Sequence, residues 1–111
     1  MYLSVVIPFF NEDDIIEKNI LQIYNYLKPK FNLQIIIIND SGKDNQILNQ
    51  ICKKQKIIEL INNNKNYGKG YSVRKGSNIA KGELILITDA DLSTPIEEFQ
   101  KLYNCFINNS S

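Results

Sequence analysis

The sequence contains no histidine and no tryptophan, and its 111 residues include only two cysteines, Cys52 and Cys105. Because the sequence has no histidine, it can form neither a Ser-His-Asp triad nor a histidine-ligated zinc site. Two distant cysteines without CxxC spacing predict free thiols rather than a disulfide or a zinc site. Any metal bound by this chain is therefore expected to be a hard cation held by oxygen ligands.

An excess of one charge and a long apolar run are also missing. Thirteen basic and twelve acidic residues give a net charge of +1, which leaves no electrostatic footprint for nucleic acid or an anionic membrane. The longest apolar run, residues 35–38, is far shorter than the roughly 20 residues that span a bilayer. Pro8, Asn11 and Glu12 interrupt the N-terminus too early for a signal peptide, so a cytosolic or cytosol-facing location is expected.

What the sequence does contain is a regular alternation of strand and helix patterns. We predict strands at residues 3–7, 33–38, 56–61 and 83–88. Helices are predicted at 11–27, from a cap at Asp44 to about 54, at 71–80 with Gly82 as the C-terminal glycine, and from Pro95 onward. Connections too long for hairpins predict right-handed βαβ units. The expected fold is α/β, a single three-layer αβα domain with a mostly parallel sheet.

Polar residues follow the predicted strands at their carboxyl ends, where ligands bind in open parallel α/β sheets. The acids placed there are Glu12, Asp40, Asp89 and Asp91. Because carboxylates so arranged repel one another, we expect a divalent cation, Mg²⁺ or Mn²⁺, together with a phosphate-bearing ligand. Lys69 and the backbone N–H groups of its glycine-containing loop are suited to phosphate oxygens.

Each of these features also has a plainer interpretation. Asp40 could merely make the turn after its strand, and Glu12 could be an ordinary first-turn helix acid. Gly68 and Gly70 could be loop glycines without a ligand, since a short Gly-x-Gly is a weak motif. Polar residues follow all four predicted strands at the same edge of the sheet, and this shared placement favours function over coincidence.

Five segments together resemble a known family. In chain order they are residues 4–12 (SVVIPFFNE), 37–44 (IINDSGKD), 66–76 (NYGKGYSVRKG), 80–83 (AKGE) and 88–93 (TDADLS). They look like the N-terminal half of a family 2 glycosyltransferase of the GT-A type. Within that family they are most similar to dolichyl-phosphate glucosyltransferases, and next to dolichol-phosphate mannose synthases. The resemblance covers nearly the whole chain.

The resemblance implies a role for individual positions. The residues matched to the nucleoside and diphosphate site are Pro8, Phe10, Glu12, Asp40 and Lys69, with Asp40 expected to read the base. Asp89-Ala90-Asp91 matches the Asp-x-Asp motif, whose acids place the metal on the diphosphate and contact the ribose. One departure is Asn39, which stands where the family usually has the first of two acids.

The resemblance also implies an activity and its partners. It implies metal-dependent, inverting transfer from a nucleotide diphosphate sugar, UDP-glucose-like rather than GDP-linked, to a polyprenyl or dolichyl phosphate or a glycan. Residues 1–111 would be the donor half with the acceptor half absent, inactive alone and self-associating through apolar surface. Two alternatives stay open: a module that only binds a nucleotide sugar, and a receiver-like signalling domain that uses Mg²⁺.

Overall fold

The computed structural model describes residues 2–11 and 13–89, and in this part of the chain strands and helices alternate as predicted. The elements are β1 (Tyr2–Phe9), α1 (Asp13–Leu27), β2 (Asn32–Asn39), α2 (Gln46–Lys54), β3 (Ile58–Asn62), α3 (Lys69–Ile79) and β4 (Leu84–Ile87). The helix predicted from Pro95 onward lies outside the described residues.

The four strands form one parallel sheet in the order β3-β2-β1-β4. The two central strands are buried over residues 3–9 and 33–39, because their apolar, largely β-branched side chains are covered on both faces. The predicted parallel α/β sheet is therefore confirmed. Because β3 and β4 lie at opposite sides of the sheet, the ends of β1 and β2 lie in the middle of the carboxyl edge.

Helices cover both faces of the sheet, as the three-layer prediction requires. α1 and α2 pack on one face, in a cluster whose fully buried members include Leu3, Val5, Ile7, Ile16, Ile20, Ile23, Ile35, Ile37 and Leu48. α3 crosses the other face, where Val6, Ile36 and Ile38 are buried. Burying each such aliphatic side chain contributes about 1.5–3 kcal/mol, which makes the α1/α2 face the main source of stability.

The starts of the three described helices differ from the predictions, and α1 begins at Asp13, two residues later than predicted. Asn45, not Asp44, caps α2, because its side-chain oxygen accepts a hydrogen bond from Leu48 N at 3.0 Å. Asp44 instead accepts a hydrogen bond from the side chain of Asn49. α3 starts at Lys69, two residues earlier than predicted. Sequence patterns place such ends only to within a few residues, since neighbouring Asp and Asn residues are equally good caps.

Gly82 does not end α3 as a left-handed glycine, so that prediction is wrong; only Gly42 and Gly68 have positive φ among the described glycines. It is required instead by a close approach to β1. A Cβ atom on Gly82 would lie 2.5 Å from the backbone N of Ser4. Its own N–H donates to Ser4 Oγ at 2.8 Å, so the glycine brings the start of β4 against β1.

Gly76 permits α3 to pack against the sheet, and its replacement tests that contact. A Cβ atom at Gly76 would lie 2.4 Å from Val6 Cγ1, whereas one at Gly70, in the same helix, would meet nothing within 4 Å. We expect Gly76→Ala to lower the free energy of unfolding by about 1–3 kcal/mol. Gly70→Ala should leave it unchanged or raise it by up to about 1 kcal/mol. Urea denaturation compares the two, and equal stabilities would contradict close packing at Gly76.

Candidate functional site

The end of β1 presents an aromatic ring at the carboxyl edge. Pro8 is buried and lies in register with Ile38 of β2. Because proline has no N–H group, it cannot donate a ladder hydrogen bond, and the pairing of β1 with β4 ends two residues before it, at Val6. Phe10 follows with 48% of its surface exposed, and Asn11 turns the chain with φ 54°. Both predicted residues, Pro8 and Phe10, are thus placed at the predicted edge.

Asp40 lies directly after β2 and is 4% exposed. Its Oδ1 accepts hydrogen bonds from Asn63 Nδ2 at 2.8 Å and from the backbone N–H of Tyr67 at 2.9 Å. Its Oδ2 accepts from the backbone N–H of Gly68 at 2.8 Å. The carboxylate therefore fastens the loop between β3 and α3 to the end of β2.

These contacts determine the charge state of Asp40. Burial of the carboxylate acts to raise its pKa, but the hydrogen bonds from Tyr67 N–H, Asn63 and Gly68 N–H favour the ionised form, and the pKa of Asp40 is lowered overall. Asp40 is therefore a buried anion near neutral pH. Its charge is stabilised by these three N–H donors and not by a direct ion pair with any described side chain.

The loop held by Asp40 leads into α3 and to the predicted cation Lys69. Gly68 precedes the helix with φ 98°, a conformation in which a side chain would be strained. Lys69 is the first residue of α3, and its Nζ lies 2.5 Å from Asp89 Oδ1, just beyond β4. Both side chains are substantially exposed, by 63% and 40%. Two of the predicted site residues are thus brought into direct contact.

Asn39, at the position where the resemblance leads one to expect an acid, organises the turn after β2. It is fully buried, and its Nδ2 donates to Lys43 O at 2.8 Å and to Asn62 Oδ1 at 2.9 Å. Its Oδ1 accepts from both N–H and Oγ of Ser41. An aspartate could accept from Ser41 but could not donate to these two oxygens, so the amide suits this turn.

Sequence reasoning missed Asn63, which lies directly after β3 and is 4% exposed. Besides its bond to Asp40, its Nδ2 lies 3.3 Å from Ser72 Oγ, and its Oδ1 accepts from Lys75 Nζ at 2.9 Å. The signal that could have found it is its place at the carboxyl end of a strand, on the same edge as Asp40. It stands in a run of three asparagines, residues 62–64, which reads as an ordinary polar loop.

The remaining predicted residues, Glu12, Ala90 and Asp91, lie outside the described residues. Of the predicted metal ligands, the structure therefore places Asp89 alone, an accessible carboxylate at the end of β4. Oxygen is the ligand that Mg²⁺ and Mn²⁺ prefer, so the chemistry of this position fits such a cation. Among residues 2–11 and 13–89, no three His, Cys, Asp or Glu side chains form a group able to hold a metal ion. Further ligands would have to come from elsewhere.

None of the described helices is both long enough and apolar enough to cross a membrane.

Comparison with known protein families gives one match that covers almost the whole chain. The family described as glycosyl transferase family 2 matches residues 4–111. A dolichyl-phosphate beta-glucosyltransferase of Trichomonas vaginalis is 38% identical over 110 residues, which cover 92% of this chain and 33% of the relative. The chain thus spans about a third of the length of this relative.

Two solved structures share the fold. A mannosyltransferase of Pyrobaculum calidifontis, determined in complex with GDP-Man and Mn²⁺, matches with a TM-score of 0.71 at 21% identity, over 84% of this chain and 32% of that one. TarS of S. aureus matches with a TM-score of 0.67 at 25% identity, over 97% of this chain and 32% of that one. The expected GT-A fold is confirmed by these neighbours.

Proposed function

The chain belongs to glycosyl transferase family 2, and from that premise we propose that it forms the donor-binding half of a glycosyltransferase. In this proposal residues 1–111 bind a nucleotide diphosphate sugar with a divalent cation, and the acceptor half lies beyond them. The observation that supports it is the set of contacts from Asp40 through residues 67–68 to Lys69 and on to Asp89. These contacts join three predicted donor residues at one edge of the sheet.

The proposed roles follow from the position and chemistry of each residue. The exposed ring of Phe10 and the buried Pro8 form the wall against which the nucleoside lies. Lys69 supplies a mobile positive charge for the diphosphate. Asp89 and Asp91 hold Mg²⁺ or Mn²⁺, the intervening Ala90 borders the donor, and Glu12 borders the nucleoside. The cation, when bound, neutralises charge on the leaving diphosphate.

The proposed donor is a UDP-sugar of the UDP-glucose type, and the proposed acceptor is a polyprenyl or dolichyl phosphate. The similarity to a dolichyl-phosphate beta-glucosyltransferase supports the glucosyl group and the acceptor. The UDP moiety rests on the family resemblance alone, and the structural neighbour bound to GDP-Man keeps a GDP-sugar as the alternative donor. A phosphate acceptor is already an anion near pH 7 and needs no strong general base. This suits a donor half in which every acid at the edge has another proposed role.

Calorimetric titration of the full 111-residue chain with UDP-glucose and with GDP-mannose, each with and without Mn²⁺, tests the proposal. We expect metal-dependent binding, and we expect UDP-glucose to bind more tightly than GDP-mannose. The Asp89→Asn/Asp91→Asn double variant should lose the metal dependence and bind at least about tenfold more weakly, because charge-assisted contacts contribute roughly 1.5–3 kcal/mol each.

A control variant removes a single carboxylate that lies away from the site. Glu83→Gln removes an exposed carboxylate at the opposite edge of the sheet, where Glu83 accepts a hydrogen bond from Tyr2 N. This variant should bind as the wild-type chain does. If the folded wild-type chain binds neither nucleotide, or if both variants weaken binding equally, the proposed site is wrong.

A further inference from the structure

The buried amide of Asn63 lies between two opposite charges. Its Oδ1 accepts a hydrogen bond from the Lys75 ammonium at 2.9 Å, and its Nδ2 donates to the Asp40 carboxylate at 2.8 Å. Lys75 and Asp40 form no direct ion pair. The amide therefore relays the attraction between a cation on α3 and an anion at the end of β2.

The two charges fix the orientation of this amide. In the reverse orientation its N–H₂ group would face the Lys75 ammonium and its oxygen would face the Asp40 carboxylate, so both contacts would be repulsive. The Ser72 hydroxyl, on the same side as Asp40, tolerates either orientation because it can donate or accept. Asn63 thus has a single favourable state in which it donates to Asp40.

That state determines which partners Asp40 can hold. With Asn63 at Oδ1, the carboxylate is oriented toward the N–H groups of Tyr67 and Gly68. These two groups are the last before α3 begins at Lys69. The direction in which the helix presents Lys69 toward Asp89 therefore depends on an amide six residues earlier in the chain.

We propose that Asn63 is a positioning residue for donor binding, which acts through Asp40 to set the loop at residues 63–68 and the start of α3. The proposal rests on the proposed function, since it assigns Asn63 to the binding of a nucleotide diphosphate sugar. Asn63 makes no contact with the ligand in this proposal. It differs from the residues expected from the family resemblance because it acts only on the conformation of the loop.

The variant Asn63→Asp tests the proposal because it is nearly isosteric and replaces the N–H₂ donor by a negatively charged acceptor. At pH 8 it places a second carboxylate against Asp40, while Lys75 still faces position 63, and we expect UDP-glucose to bind at least about tenfold more weakly. Because two adjacent carboxylates repel each other, the pair takes up its first proton at a higher pH than an isolated aspartate does. At pH 5 to 6 a shared proton restores a donor toward Asp40, so binding should recover toward that of the wild-type chain at the same pH.

Asn64→Asp is the matched control, because it makes the same charge change one residue away. Asn64 is exposed and only accepts a hydrogen bond from Tyr67 OH, a role that a carboxylate retains. Its binding should therefore match that of the wild-type chain at every pH. Equal, pH-independent losses in Asn63→Asp and Asn64→Asp would overturn the proposal, since they would report only added negative charge.

A second measurement separates this proposal from the proposed function. Amide hydrogen exchange in the chain without nucleotide should be faster at Tyr67 and Gly68 in Asn63→Asp than in Asn64→Asp, with equal exchange in the central strands. If the wild-type chain binds no nucleotide, the proposed function fails. If it binds and Asn63→Asp binds equally well at pH 8, only the positioning role of Asn63 fails.

Should Asn63→Asp fail to fold, Lys75→Met removes the other anchor of the amide. It should weaken nucleotide binding by about three- to tenfold. Lys81→Met is the control. It removes an exposed charge from a residue whose backbone N–H donates to Gln34, and it should have no effect on nucleotide binding. Equal binding by these two variants would overturn the proposal.

Discussion

Asp40→Asn is expected to lower the free energy of unfolding by about 2–3 kcal/mol and to abolish measurable nucleotide binding. The carboxylate accepts three hydrogen bonds, whereas the amide has one acceptor oxygen and one donor group. Whichever way it is oriented, its N–H₂ group faces an N–H donor of the loop, either that of Tyr67 or that of Gly68, which then keeps only its bond to Asn66 Oδ1 at 3.0 Å. Because a domain of this size is stable by only about 5–15 kcal/mol, the loss should be plain in urea denaturation.

The pH dependence of this difference has a definite sign. The pKa of Asp40 is lowered in the folded chain by its hydrogen bonds, which outweigh the effect of burial. Its contribution is therefore fully present above the unfolded-state pKa of about 3.9 and is lost as the pH falls through the lower folded value. The difference in stability between wild type and Asp40→Asn should be constant from pH 5 to 8 and should shrink below pH 4.

Asp44→Asn is the control for this prediction. Asp44 is an exposed acid four residues away and accepts one hydrogen bond, from the Asn49 side chain at 3.0 Å. Exposed pairs of this kind contribute little, so its stability should stay within about 0.5 kcal/mol of wild type. Equal effects of the two variants, or a difference that grows below pH 4, would show that Asp40 does not hold the loop as a carboxylate.

The layers of the fold were predictable because they depend on long-range patterns in the sequence. The apolar runs at residues 3–7 and 33–38 fill the two central strands, and the long connections between strands enforce parallel pairing. The ends of the helices were less predictable. Asp44 and Asn45 are both good caps, and only the tertiary position of the turn decides that Asn45 is used.

The placement of the candidate site was predictable, but the contacts within it were not. The carboxyl edge was identified from the polar residues that follow each strand, and Asp40, Lys69 and Asp89 lie there. The hydrogen-bond partners of Asp40 lie in a loop 23 to 28 residues later in the chain. They could not be deduced from the sequence, because any nearby buried donor could bond to the carboxylate. Gly82 was misassigned for a similar reason. Its approach to Ser4 is tertiary, whereas a glycine after a helix resembles a local stop signal.

The Lys69–Asp89 ion pair leads to the last prediction, because the proposed function gives each partner another ligand. In that proposal Asp89 exchanges Lys69 for the divalent cation, and Lys69 exchanges Asp89 for the diphosphate. Lys69→Met should therefore tighten the binding of Mn²⁺ alone, by up to about fivefold. The same change should weaken binding of the nucleotide sugar about tenfold or more, since a charge-assisted contact to phosphate is lost.

Opposite changes in the two affinities distinguish this exchange of partners from a loss of structure. The pair is exposed, so Lys69→Met should alter stability by less than about 1 kcal/mol. Lys65→Met removes an equal charge from the loop that precedes α3, where Lys65 lies over the Tyr67 ring at 5.1 Å, and should change neither affinity by more than about twofold. Calorimetry with Mn²⁺ and then with UDP-glucose measures both effects. If Lys69→Met weakens both ligands in parallel, Lys69 supports the site without exchanging partners, because competition for Asp89 requires that Mn²⁺ bind more tightly once Lys69 is removed.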